Sequence, residues 1–141
     1  MFTGCSTGSG DGVNNDQLNN DLLGRWESSG VWGSDGYIVE TNRISYFYDE
    51  ETMFAGTIKH VENFSVSAGV IIIEYDPEYS QPLGNFIGIY YKNLNPHVSV
   101  QMGTAWMDGG AEKPTLNTAI NAFTLGNEGA YMSFYGLYLT D

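Results

Sequence analysis

The side chains that most often carry catalysis are few in this chain, and they do not form a recognisable catalytic set. The two histidines, His60 and His97, each lack a Cys or a second His at the spacing of a metal site. No Gly-x-Ser-x-Gly sequence and no glycine-rich phosphate loop occurs. Glu40, Glu62 and Glu74 lie in predicted strands, and two such carboxylates flanking a glycosidic bond would make a glycoside hydrolase. Because a strand Glu more often faces solvent, we expect no enzyme, no metal and no cofactor, and keep the hydrolase as a remote alternative.

Three aromatic residues lie where the core of a strand does not need them. Trp32 lies in a glycine-rich stretch, Tyr79 follows the fifth predicted strand, and Trp106 ends the seventh. If these rings meet at one mouth of a barrel, they form a platform for an apolar or sugar-like ligand. Alternatively, each ring covers an end of the core, because small barrels fill their interiors with side chains. These three residues are the candidate ligand-binding residues.

The single cysteine lies in a short motif near the N-terminus, which excludes an intramolecular disulfide. In Phe2-Thr3-Gly4-Cys5-Ser6, small residues precede the cysteine, and this resembles a bacterial lipobox. Such a cysteine is lipidated after its signal peptide is removed, so we expect Cys5 to be the lipid anchor. Ser, Gly, Asn and Asp dominate the following residues, so residues 1–20 are predicted to be a lipobox remnant and flexible tether. Residues 21–141 are predicted to be one domain.

The charge balance restricts the partners. The formal net charge is −12, from 17 acidic and 5 basic residues. Nucleic acid is therefore an improbable partner, because phosphate binding needs clustered Lys and Arg. A basic protein would be attracted. No apolar run is long enough to cross a bilayer, so membrane contact is expected only through the lipid anchor.

Apolar residues alternate with polar ones through most of residues 21–141, which predicts short β-strands. Leu22-Leu23-Gly24-Arg25-Trp26 opens the first strand, and the Trp26 indole is expected to plug one end of the fold. Val70–Ile73 is continuously apolar, so we expect this strand to be covered on both faces. The eight predicted strands are residues 24–29, 37–40, 43–48, 53–62, 70–75, 85–92, 97–106 and 131–139.

One segment has a helical period. Leu116, Ala119, Ile120 and Phe123 follow the i, i+3, i+4, i+7 spacing of a helix stripe. Thr115 is the expected N-cap, and a Gly at position 126 can end the segment. The sequence therefore predicts an all-β, eight-stranded antiparallel barrel with one short helix before the last strand, and a β-sandwich is the alternative.

The opening stretch Leu22–Trp26, the strand count and the helix before the final strand resemble the lipocalin and calycin barrels. The order of segments is more closely similar to a group of small spirochaete-type envelope lipoproteins. The similar segments are residues 24–29, 54–58, 69–75, 90–94 and 115–124. The resemblance implies a lipocalin-like barrel in the bacterial cell envelope, and it implies no catalytic residues.

These observations lead to a ranked expectation for function. The first hypothesis is a non-enzymatic envelope lipoprotein, anchored through Cys5 in the outer membrane or facing the periplasm, that binds a small hydrophobic ligand or a surface component. The alternative is an acidic protein–protein module, either an enzyme inhibitor or an adhesin. An open apolar interior would favour the first function. A filled interior with an exposed acidic loop, such as Asp49-Glu50-Glu51, would favour the second.

Overall fold

The computed structural model describes residues 16–30, 33–104, 111–128 and 135–140. Among these residues, eight antiparallel strands pair in chain order, and the last strand also pairs with the first, so the sheet closes into a barrel. The strands are β1 Gly24–Gly30, β2 Gly33–Val39, β3 Arg43–Tyr48, β4 Glu51–Ser65, β5 Ala68–Tyr75, β6 Phe86–Asn95, β7 Ser99–Thr104 and β8 Tyr135–Thr140, with helix α1 Leu116–Ala122 before β8. The predicted barrel is confirmed, and the β-sandwich alternative is wrong because the sheet is continuous.

The barrel has two ends, which we name by the strands that reach them. β1, β3, β5 and β7 all end at the upper rim, because neighbouring strands run in opposite directions. β1 begins and β8 ends at the lower rim, where Arg25 pairs with Thr140. The connections β1–β2, β3–β4, β5–β6 and β7–β8 therefore all leave from the upper rim.

The first hairpin differs from its prediction. β2 begins at Gly33 rather than at residue 37, because Gly36 lies inside the ladder, paired with Glu27. A Cβ at Gly36 would collide with the main chain of Trp26. The glycine therefore marks a close approach of two strands rather than a turn. Predicted strand residues 105, 106 and 131–134 lie outside the described residues.

β5 is covered on both faces, as predicted. Each residue of Val70–Ile73 is fully buried. Ile72 is on the outer face and pairs with Gly88 of β6, and a Cβ at Gly88 would collide with the ring of Phe123. Phe123 directly follows α1, so the helix and its C-terminal residue cover the outer face of β5 and β6.

Helix α1 begins where the sequence predicts. The Thr115 hydroxyl accepts a hydrogen bond from the Thr118 main-chain N–H at 3.1 Å, and the Thr118 side chain accepts one from Thr115 N–H. This reciprocal capping satisfies two free donors of the first turn. The helix ends at Ala122, and Gly126 lies in a following 3-10 turn, Leu125–Asn127. Across the described ranges, no helix is both long and apolar enough to cross a bilayer.

Residues 16–19, which we call the N-terminal strap, lie along the lower part of β4. The Asp16 N–H donates to the Val61 carbonyl at 2.8 Å, and the Asn63 N–H donates to the Asp16 carboxylate at 2.8 Å. These residues belong to the predicted tether, and their polar side chains bond to the strand. Residues 1–15, including Cys5, lie outside the described residues.

The segment between the strap and β1 anchors the first strand. Leu22, at the end of a 3-10 turn, and Trp26 are both fully buried. The Trp26 indole Nε1–H donates to the Leu22 carbonyl at 2.7 Å, which satisfies a polar group that would otherwise be buried without a partner. The expectation that Trp26 is a large apolar plug is consistent with this burial.

Candidate functional site

Of the four residues assigned a site role from sequence, the structure describes one. Tyr79 ends a 3-10 turn, Pro77–Tyr79, in the β5–β6 connection at the upper rim. Its ring is half-buried and packs against the core, while its carbonyl accepts a hydrogen bond from the Gln81 side chain at 3.1 Å. Burial first, and then the charge of Glu78, raise the pKa of the Tyr79 hydroxyl. Cys5, Trp32 and Trp106 lie outside the described residues, so their meeting at one mouth stays a prediction.

The interior of the barrel beneath the upper rim is lined by a continuous series of aromatic rings. Tyr37 and Tyr46 have ring centroids 5.2 Å apart, and Tyr46 stacks on Phe54 at 5.4 Å. Tyr75 meets Phe54 edge-on at 5.4 Å. All four side chains are at most 6% exposed. Rings in mutual contact leave no space between them for an apolar ligand, so this part of the interior is filled.

A carboxylate is held among these rings by two hydroxyl donors. Asp35 on β2 accepts hydrogen bonds from the Ser28 hydroxyl at 2.5 Å and from the Tyr46 hydroxyl at 2.7 Å. The three residues come from neighbouring strands, and Asp35 and Ser28 are half-buried. The two bonds orient the carboxylate toward the inner face near the upper rim. The sequence prediction missed Asp35 because it was placed in a turn, although its period-two spacing from Tyr37 and Val39 indicates the inner face.

A second carboxylate is more deeply buried. Glu112 is 6% exposed, and its carboxylate accepts a hydrogen bond from the Tyr75 hydroxyl at 3.5 Å. Burial, and then the negative charge of Glu112, raise the pKa of Tyr75 well above its ordinary range, so this hydroxyl remains a donor. The next residue, Lys113, forms a two-bond bridge with Phe86 at 2.8 and 3.1 Å, which fixes Glu112 beside the barrel. Nothing in the local sequence pattern signalled Glu112, because it lies in an irregular connection.

The carboxylates predicted as remote hydrolase candidates are not brought together. Glu62 pairs with Val70, whereas Glu74 pairs with Thr57 several residues farther along the same two strands. Glu74 is within 3.6 Å of Lys59, and Glu40 is exposed beyond the end of β2. The described part of the chain contains no group of three His, Cys, Asp or Glu residues that could hold a metal ion.

The two histidines occupy opposite environments. His60 is 4% exposed, and its Nε2 has no hydrogen-bond partner within the described ranges. Burial lowers the pKa of His60, and the charge of Asp16 offsets this only in part. His97 is exposed in the β6–β7 turn, where its backbone has a φ of 66°.

The outer surface at the upper rim carries an acidic hairpin, which we define as Tyr48–Glu51. Asp49 and Glu50 have φ angles of 52° and 71°, which is the geometry of a two-residue turn matched to the twist of its strands. Asp49 N–H donates to the Ser34 carbonyl at 2.7 Å. All four residues of the acidic hairpin are exposed. The hairpin therefore presents carboxylates in a defined geometry.

Two arginines already have acidic partners. Arg25 lies 3.2 Å from the Glu50 carboxylate and 3.4 Å from that of Glu27, and its guanidinium stacks 4.0 Å above the Phe47 ring. Arg43 forms two hydrogen bonds with Asp76, at 3.1 and 2.7 Å. Since these positive charges are balanced locally, the remaining exposed acids dominate the field that an approaching partner meets.

Two of the concavities on the described surface bear on the ligand hypothesis. One, of about 410 Å³, lies beside Tyr75 and is lined by residues such as Thr57, Glu74, Asp76 and Asn85. The other, of about 540 Å³, lies near the lower rim and is lined by Asn19, Asp21, Asn63, Ser65 and Val66. The first has a mainly polar surface, whereas the second combines polar side chains with the apolar surface of Val66.

Comparison with known proteins adds no assignment to this geometry. No protein-family model matches the chain, and no curated protein or solved structure matches it significantly. The resemblance to lipocalin-like envelope lipoproteins therefore stays a prediction from the sequence.

Proposed function

We propose that this protein is a non-enzymatic, lipid-anchored envelope protein that binds a basic protein partner through the acidic hairpin at its upper rim. The observation that carries the proposal is the filled interior beneath that rim. Tyr37, Tyr46, Phe54 and Tyr75 contact one another in series, so a hydrophobic ligand has no space between these rings. Recognition is then a property of the outer surface.

The acidic hairpin fits such a role because its shape is held by the rest of the barrel. Glu50 is engaged by Arg25, and the Asp49 main chain is bonded to β2. Asp49 and Glu51 remain exposed at the tip. A preorganised surface loses little conformational freedom on binding, which favours affinity. The net charge of −12 adds long-range attraction for a basic surface. Anchoring through Cys5 would place this surface in the envelope, as its motif predicts.

Binding to a basic cell-wall hydrolase such as lysozyme, measured by calorimetry at low and at physiological salt, tests the proposal. The double variant Asp49→Asn, Glu51→Gln keeps the shape of both side chains and the Arg25–Glu50 pair. Its affinity should fall by about tenfold, because each exposed charge pair contributes up to about 1 kcal/mol. The matched control, Asp21→Asn with Glu40→Gln, removes two exposed charges away from the hairpin and should bind nearly as well as the unaltered protein.

Equal losses in both double variants would show that net charge, rather than the hairpin, attracts the partner. No binding at low salt by the unaltered protein would refute recognition of a basic surface.

A small ligand at the upper rim is the second candidate, and the Asp35 arrangement favours it. A carboxylate oriented by the Ser28 and Tyr46 hydroxyls could accept a hydrogen bond from a donor group of a small ligand. Titration with a fluorescent long-chain amine separates the two functions, because its ammonium group can donate to the Asp35 carboxylate. Micromolar binding that quenches tryptophan emission would support this candidate, whereas its absence would leave the protein-binding role.

A further inference from the structure

The N-terminal strap is attached to β4 almost entirely through polar groups at the surface. Besides the two bonds of Asp16, the Asn63 side-chain amide donates to the Gln17 carbonyl at 2.9 Å, and the Asn19 amide donates to the Val66 carbonyl at 3.0 Å. Leu18 is the strap residue that packs against the core, and it is only partly buried. The strap is thus a weakly held cover, since exposed hydrogen bonds exchange readily with water.

Beside this attachment lies a histidine with an unusual environment. His60 immediately precedes Val61, the residue that accepts the strap's main-chain hydrogen bond. A register shift between Ile58 and His60 interrupts the β4–β5 ladder at this point. The imidazole is almost completely buried, and its Nε2 lacks a partner among the residues that the structure describes. A neutral ring tolerates this site, but an imidazolium would have a buried N–H donor without an acceptor.

We propose that protonation of His60 releases the strap from β4. A charged imidazole at this position needs contact with water. The segments on the two sides of β4 differ in how firmly they are held. On one side β4 pairs with β5, whose residues 70–73 are fully buried and apolar. On the other side, the pairing of β4 with β3 extends only to Thr57. Farther along β4, Val61 and Asn63 form hydrogen bonds with Asp16 of the strap. The strap also carries Asp16, whose charge acts on the imidazole, so opening the strap is the route that we propose for hydrating the ring.

The charged groups around His60 determine the sign of the effect. The strap contributes Asp16. Strand β4 contributes Glu62 and Lys59, and Lys59 is paired with Glu74. Residues 70–73 of β5 and helix α1 contain no titratable side chain. Because burial lowers the pKa of His60, the attached state takes up a proton less readily than the released state, so falling pH favours release. Burial and Asp16 raise the pKa of Glu62, so that residue opposes release at lower pH.

Amide hydrogen exchange at Asn63 tests the proposal, because the Asn63 N–H is bonded to the Asp16 carboxylate. Between pH 7.5 and 5.5, the opening constant, corrected for intrinsic exchange, should rise by up to about tenfold if the released histidine titrates near 6.5. The variant His60→Phe should show no such rise. The control His97→Gln, which alters the exposed histidine, should behave like the unaltered protein.

Three results would overturn the proposal: an unchanged opening constant in the unaltered protein, an equal rise in His60→Phe, or a parallel rise for the amides of β5, which would indicate global unfolding. If His60→Phe fails to fold, His60→Gln replaces it. Direct NMR titration of the His60 ring gives a second check, because a pKa at or above the ordinary histidine value would also refute the mechanism.

Discussion

At the scale of single residues, Gly36 determines how closely β1 and β2 can approach. Its missing side chain leaves room for the main chain of Trp26 and Glu27, which a Cβ would overlap. Gly136 on β8 has no heavy atom within 4 Å of the corresponding position, and its backbone has no positive φ. Packing therefore requires a glycine at position 36 but not at position 136, and the two positions can be compared by substitution.

Replacing Gly36 with alanine should destabilise the protein by about 2–3 kcal/mol, because two central strands must separate to admit a methyl group. The matched variant Gly136→Ala should change stability by less than about 0.5 kcal/mol, as expected for an exposed position. Urea denaturation, followed by tryptophan fluorescence, measures both values. Equal effects in the two variants would contradict the close packing of β1 on β2.

Single residues of the candidate site were only partly predictable. Tyr79 stands out in the sequence as an aromatic ring in a long loop, and its role as a ligand contact stays a prediction. Asp35 was missed because its glycine neighbours suggested a turn, whereas Gly36 serves packing. Glu112 has no periodic context, and its burial depends on a bridge between Lys113 and Phe86 that joins distant parts of the chain. Local patterns do not contain such long-range contacts.

At the scale of elements, one ion pair connects the start of β3 with the end of β5. Arg43 and Asp76 form two hydrogen bonds, and both side chains are partly exposed. β4 passes between these strands, since Arg43 pairs with Thr57 and Thr57 pairs with Glu74. The ion pair therefore fastens three neighbouring strands across their width.

The Arg43–Asp76 pair should make a pH-dependent contribution to stability. The Arg43 guanidinium holds the pKa of Asp76 below its ordinary value of 3.8, so the contribution is present above that value and is lost as pH falls through the lowered one. Asp76→Asn should therefore cost about 0.5–1 kcal/mol at pH 7, and its difference from the unaltered protein should vanish at strongly acidic pH. Denaturant titrations from pH 7 to pH 2 provide the measurement.

The variant Asp21→Asn is the control, because it removes an exposed carboxylate on the 3-10 turn before β1. A cost for Asp76→Asn that stays constant down to pH 2 would mean that hydrogen-bond geometry, rather than charge, makes the connection.

The elements themselves were largely predictable, and their bounds less so. Alternation placed Val100 and Met102 on one face of β7, and both are buried. The N-cap of α1 was predicted correctly as Thr115. An N-cap is predictable because its side chain bonds to main-chain N–H groups only two or three residues away. The length of β4 was underestimated, since it extends through Glu51 and Ser65 by pairing with partners on both sides. Pairing across the sheet overrides the local signal of a strand end.

At the scale of the whole molecule, the closed barrel followed from counting strands, but the packing of its interior did not. Eight short strands with hairpin connections have few ways to avoid exposed edges. Which rings touch depends on register shifts, such as the one between Tyr46 and Phe47, that no sequence pattern marks. The sequence therefore left an open and a filled interior as alternatives, whereas the structure shows contacts between the rings of Tyr37, Tyr46, Phe54 and Tyr75.

The excess of negative charge should make thermal stability depend on salt. With a net charge of −12, repulsion between carboxylates opposes compaction, and ions screen it. Raising sodium chloride from 10 to 150 mM should increase the melting temperature by about 3 °C, which corresponds to about 1 kcal/mol for a domain of this size. Calorimetric scans at fixed pH measure the shift. A fall in melting temperature would mean that the ion pairs of Arg25, Arg43 and Lys59 outweigh the repulsion.

The wall of the barrel is completed by the pairing of its first and last strands. Arg25–Glu27 pair with Tyr138–Thr140, and the Thr140 hydroxyl donates to the Arg25 carbonyl across 115 residues of sequence. The ribosome must therefore have translated β8 before the wall can close. A nascent or prematurely terminated polypeptide that lacks residues 135–140 retains unpaired flanks on β1 and β7, where other unfolded chains can add and aggregate.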